Sequence, residues 1–194
     1  MARARNLQVM KVPAAMLKRL LLLSAMSLLV PGAAMAQDAR FPAISGHGPI
    51  VPAPDADNQP DPSIRYRVVF NITKAPTDPA QPNPSIVKVA RFLNLLATRG
   101  IRPAAGDIVA IVHGPATPLV MNDAAYQAKF KVAKPNLPLI AALKGAGAQV
   151  HVCSQALHGQ NIAADSTAKD VQVDLAALTT LATLQLQGFA LIPD

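Results

Sequence analysis

The single cysteine of this 194-residue chain, Cys153, closes the apolar run AQVHVC over residues 148–153. The next residues, SQAL, read as a turn into a helix. A thiol at a strand-to-helix turn lies near the amide-rich end of a helix, where the thiolate is favoured. Two readings stand side by side: a reactive thiol, or a small buried hydrophobe. The chain has no CxxC pair, so a dithiol mechanism within it is excluded. One thiolate can still attack a disulfide or carry a sulfane sulfur, provided that an outside partner resolves it.

Histidines surround this cysteine in the sequence. His151 lies two residues earlier and shares its strand face. Protonated, it would stabilise a thiolate; the alternative is a histidine packed under a helix with both nitrogens satisfied. His113 ends an apolar strand ahead of a Gly-Pro turn, and His158 follows the thiol by about one helical turn. In this reading His113 and Gln155 shape the pocket, while His151 or His158 tunes the thiolate. Hydrolytic use of a Cys–His pair needs an orienting third group and an oxyanion hole, and the sequence identifies neither. His113, His151, Cys153 and His158 are also ligand types that suit zinc or copper, but their spacing matches no metal motif. A soft-metal binder stays open as an alternative; no metal or other cofactor is expected. No phosphate-binding glycine motif supports a nucleotide.

The elements that must position these groups alternate. Residues 66–72 carry Val68, Phe70 and Ile72 on one strand face. Residues 85–98 have helical spacing, with Asn83-Pro84 suited to start the helix and Gly100 to stop it. Residues 107–113 are apolar on both faces, as in a central parallel strand covered by helices. A helix is predicted over 119–130 and another over 136–144. The strand that carries Cys153 follows, then a short helix or turn over 156–162, a polar loop over 165–170 and a short strand over 171–173. Asp174 is expected to cap a helix running to about Gln187, and 189–192 form a last strand. Strands alternating with helices imply one α/β domain with a mainly parallel sheet flanked by helices. Ligands gather at the C-terminal strand ends of such sheets, the edge that His113 and Cys153 occupy. Leu175, Leu178, Leu181, Leu184 and Leu186 spread around more of the last helix than one core stripe needs. That surplus fits burial against another subunit, or a central helix buried within one subunit.

The first 36 residues read as a leader. Lys18-Arg19 precede an apolar run of eleven residues over 20–30, too short to span a bilayer, and Ala34-Met35-Ala36 gives a small-x-small cleavage site. Cleavage is expected after Ala36, with export to the periplasm and no membrane anchor remaining; Met16 would make a more compact start than Met1. The leader holds five of the eighteen Lys and Arg residues, whereas all eleven acidic residues, every one Asp, follow it. Thirteen basic against eleven acidic residues leave the mature chain at +2. Nucleic-acid binding thereby loses its electrostatic support, and with no Trp and two Tyr no base-stacking cluster replaces it. Residues 37–64, with six Pro and two Gly, read as an extended, mobile linker that also carries His47. The domain is then 65–194.

The segments HGPA over 113–116, NLPLI over 136–140, LKGAG over 143–147 and VHVCSQAL over 150–157 resemble the DsrE/DsrF-like family. The resemblance spans roughly residues 66–192. It implies a small α/β fold with a parallel sheet, assembly into trimers or hexamers, and a sulfur-relay role in which a cysteine carries persulfide sulfur. Cys153 is the position that matches. The implied partners are a sulfur donor or acceptor protein, or a small thiol. This chain departs from many relatives in having Ser154 where they carry Gly, and that hydroxyl is expected to hydrogen-bond near the thiol. The relay partners of the family are cytoplasmic, whereas this chain carries an export leader. The alternative from another class is a non-enzymatic assembly module in which Cys153 is inert core.

Overall fold

Parallel strands can be packed from both sides only if their residues are apolar in both directions. Strand β2, Ile108–Val112, is buried at all five positions, and β1, Val68–Ile72, at four of five. A computed structural model, which describes residues 40–194, places these two strands at the centre of a five-stranded sheet. With β3, Gln149–Cys153, β4, Val171–Asp174, and β5, Ala190–Ile192, the order is β4-β3-β2-β1-β5, and every pairing is parallel. The expectation of a parallel α/β sheet holds. The leader lies outside the described residues. Among the described residues no helix is long and apolar enough to cross a membrane.

The alternation of side chains along the strands makes two unequal cores. Val68, Phe70, Ile72, Ile108, Ala110, Val112, Val150 and Val152 face the larger one. Helix α1, Pro84–Ala97, brings Ile86, Val89, Ala90 and Leu93 to it; helix α3, Leu137–Gly145, brings Leu139, Ile140 and Leu143. Val69, Val109, Ile111 and Cys153 face the smaller core, closed by Ala177 and Phe189 with Leu181 and Leu184 packed against them. Helix α5, Ala177–Leu186, lies over that face. Its Leu178 and Leu186 are 83% and 90% exposed, so the leucine surplus read in the sequence is surface in the single chain.

Three local readings change. The helix expected over 119–130 shortens to helix α2, Asp123–Phe130, while Leu119 and Val120 end a 3-10 segment, Gly114–Val120. Met121 bridges to Thr167, and the Asn122 side chain accepts the Ala125 N–H at 2.9 Å to start α2. Asp174 does not cap α5: the capping position is Ala176, with no side-chain bond, and Asp174 ends β4. Part of the segment read as mobile linker is docked. Ile44 and Ile50 are buried, and Arg40 pairs with Ile50. Asn94, fully buried on α1, accepts the N–H of Ala43 and of Ile44 and donates to the carbonyls of His47 and Gly48. Gly48 has φ +61°, and a Cβ there would collide with the Ala90–Arg91 backbone. The composition of 37–64 concealed this, because its partner is a single asparagine some 45 residues away in sequence.

Candidate functional site

Cys153 is the last residue of β3 and the capping position of the short helix α4, Ser154–Gly159. Its side chain lies with Val69, Val109 and Ile111 in the smaller core, and the residue is 6% exposed. Among the described residues its thiol makes no hydrogen bond. On one flank β3 pairs with β4, setting Cys153 opposite Asp174. On the other it pairs with β2 through Val112 and Val152, so the next residue along each strand is His113 and Cys153. The strands that end beside His113 and in Cys153 are therefore neighbours.

His113 is half-buried. Its N–H donates to the Ile72 carbonyl at 3.0 Å, and its Nε2 lies 2.7 Å from Asn71 Oδ1. Burial pushes its pKa below the usual histidine value, with the Asp194 carboxylate pulling the other way. Asp194 Oδ2 accepts the N–H groups of Thr73 and Lys74, each at 2.7 Å, and the Thr73 hydroxyl at 3.1 Å. Burial alone would raise the Asp194 pKa, but hydrogen bonds from Ser85, Thr73 and Lys74 outweigh it and hold the carboxyl at about 2. The edge therefore carries a fixed carboxylate facing a histidine that favours neutrality.

His151 has a partner at each ring nitrogen. It is 6% exposed, with Nδ1 at 2.8 Å from Asp174 Oδ2 and Nε2 at 3.2 Å from Gln149 Oε1. Asp174 Oδ2 also accepts the Thr180 hydroxyl at 2.9 Å, which ties β3, β4 and α5 together. The ring is buried and held across to β4 by its contact with Asp174. Ser154 donates to the Leu175 carbonyl at 2.7 Å rather than to the thiol. Gln155 is exposed and reaches the same carbonyl at 3.3 Å. His158 is exposed on α4. Of the sequence-predicted set, the sheet places Cys153 and His113 at the ends of neighbouring strands, with the His113 ring bonded to Asn71, turns His151 toward Asp174 and leaves Gln155 and His158 outward. Among the described residues no three His, Cys, Asp or Glu side chains group to hold a metal.

Sequence reasoning missed Asn71 and Asp194. A signal for Asn71 existed: it is the one polar residue in the strand VVFNI. Asp194 gave none, because its partners lie about 120 residues away.

Comparison with known proteins gives one family. The model of the DsrE/DsrF-like family matches residues 67–193, well over half of the chain. No curated protein matches. Among solved structures, the protein of unknown function MTH1491 from Methanobacterium thermoautotrophicum is similar, with 20% identity and a TM-score of 0.48 over 66% of this chain and 99% of that one. The match runs from the start of β1 through the end of β5, enclosing every strand and the Cys153 edge, and the chain belongs to the DsrE/DsrF-like family, a membership that suggests a sulfur-relay-related role.

Proposed function

We propose that the protein is exported to the periplasm, that it assembles as a homo-oligomer, and that Cys153 carries sulfane sulfur. The observation that carries this reading is the position of the thiol: it ends an inner strand at the C-terminal sheet edge, beside the strand that ends in His113. Family membership supports the same chemistry. In the carrier step the Cys153 thiolate attacks the outer sulfur of a donor persulfide, R–S–SH. A bond forms between Sγ and that sulfur, the donor S–S bond breaks, and its electron pair leaves with R–S⁻. The product is Cys153–S–SH, and a second thiolate removes the outer sulfur in the same way. The donor and acceptor are a partner protein or a small thiol.

The test is alkylation of the folded, reduced, leader-free protein with iodoacetamide, read by intact mass. Labelling of the native protein at neutral pH is expected, followed by a gain of one sulfur on treatment with a small persulfide donor. Labelling only after denaturation would make Cys153 core and end this reading.

An assembly role has its own observation. Leu175, Leu178 and Leu186 are 74%, 83% and 90% exposed. Leu181 packs against the smaller core, so a charge there would disturb the fold itself. Leu178→Lys is the cleaner variant: dissociation of the oligomer in sedimentation, with an unchanged thermal midpoint, is expected if this face joins subunits. Unchanged sedimentation would remove the face from the assembly.

A further inference from the structure

Cys153 is 6% exposed, so a reagent reaches its thiol only where a covering group gives way. The cover is uneven. Val69, Val109 and Ile111 belong to inner strands, and Phe189, Leu181 and Leu184 are large side chains. The remaining members of the cluster are alanines: Ala177, 4% exposed, with Ala156 and Ala176 packed against it. Moving a methyl uncovers far less apolar area than moving a leucine or a phenylalanine ring, so this is the side that opens at least cost.

Register fixes where that side lies. Cys153 pairs with Asp174, so Ser154 and Gln155 leave β3 beside Leu175 and Ala176 as they leave β4. The Ser154 hydroxyl donates to the Leu175 carbonyl at 2.7 Å, and Gln155 Nε2 donates to the same oxygen at 3.3 Å. Both bonds are exposed, and they tie α4 to the turn from β4 into α5. The turn is otherwise lightly held. Helix α5 begins at Ala176, whose methyl caps no N–H. Leu175 and Leu178 are 74% and 83% exposed, which leaves Ala177 as the buried residue of the first turn.

We propose that residues 175–177 are a gate over Cys153 and that the Ser154 hydroxyl, seconded by Gln155, is its latch. This rests on the carrier reading, which needs the thiol to be reached in the folded protein. In opening, the bonds to the Leu175 carbonyl pass to water, the first turn of α5 frays and Ala177 lifts from the cluster. The Thr180 hydroxyl, held by Asp174 Oδ2 at 2.9 Å, keeps the rest of α5 on the sheet. The ties that break lie at the surface, so opening takes a small part of the free energy of global unfolding. The hydroxyl next to the cysteine in sequence thus acts on access to the thiol and not on the thiolate.

The test is the iodoacetamide rate of the folded, leader-free protein as wild type, Ser154→Ala, Ser154→Thr and the double variant Ser154→Ala with Gln155→Ala. Both side chains lie outside the two cores, so the variants alter access without altering packing. Labelling should quicken about threefold in Ser154→Ala and about tenfold in the double variant, as loss of one and then two exposed hydrogen bonds implies. Ser154→Thr keeps the hydroxyl and should keep the wild-type rate. The pH of half-maximal labelling should be the same in all four proteins. Hydrogen exchange should quicken at the amides of 177–180 and not in β3. Dilute urea should change the rates little, because the gate exposes few residues. An unchanged rate in the double variant, a shifted pH of half-maximal labelling, or a rate that climbs with urea as steeply as global unfolding would overturn the gate. Native labelling with no gain of sulfur from a small persulfide donor ends the carrier reading and leaves the gate standing.

Discussion

Lys134 shows what burial does to one charge. The residue is 4% exposed, its ammonium donates to the Met121 carbonyl, and its own N–H donates to Asp123 Oδ1 at 2.9 Å. Burial pushes its pKa down to about 8, against a smaller pull from Asp123. The unfolded chain holds this proton up to the ordinary lysine value of 10.5, so between about 8 and 10.5 the unfolded state binds more protons. Stability should therefore rise with pH across that window, by on the order of 3 kcal/mol from this residue. Denaturant midpoints of the wild type and Lys134→Met, followed against pH, check the sign: the rise should be present in the first and reduced in the second. At the same scale, the chemistry-bearing residues were only partly legible. Cys153 and His113 stood out by type and strand-end position. Asn71 and Asp194 did not, because a hydrogen bond between strands or to a distant segment leaves no spacing to read.

At the scale of elements, the docked N-terminal segment depends on one side chain. Asn94 satisfies two N–H groups and two carbonyls of 43–48 from within α1. Asn94→Ala leaves those groups unpaired where water is largely excluded, and should lower stability by about 2–3 kcal/mol. Limited proteolysis should then cut first within 40–50, while residues 66–192 stay resistant; equal resistance in both proteins would remove the segment from the fold's support. Period-based reading located all five strands and the helices α1, α3 and α5, because their apolar spacing is set by the core they face. It ran Leu119 and Val120, the end of the 3-10 segment, into α2, because the bridge from Met121 to Thr167 that separates them joins chain segments far apart in sequence.

At the scale of the whole molecule, the two faces of the sheet are unequal. The face under α1 and α3 is thickly covered, whereas the face that holds Cys153 is closed by α5 and Phe189, with leucines left outside it. Cys153 lies on the thinner side, beneath a helix whose Leu178 and Leu186 are exposed, and the Leu178→Lys experiment bears on that surface. The sequence by itself determined the α/β class, the parallel sheet, the strand that ends in Cys153 and the family, because these follow from local periodicity and from segments carried intact along the chain. Only the tertiary structure decided what each histidine bonds: Asn71 for His113 and Asp174 for His151. Strand order puts β2 beside β3 and β4 on the other flank, so His113 comes to the cysteine's edge while His151, two residues from Cys153 in sequence, is taken by Asp174. Neighbourhood along a strand is fixed by the chain, but neighbourhood across strands is fixed by which backbones pair.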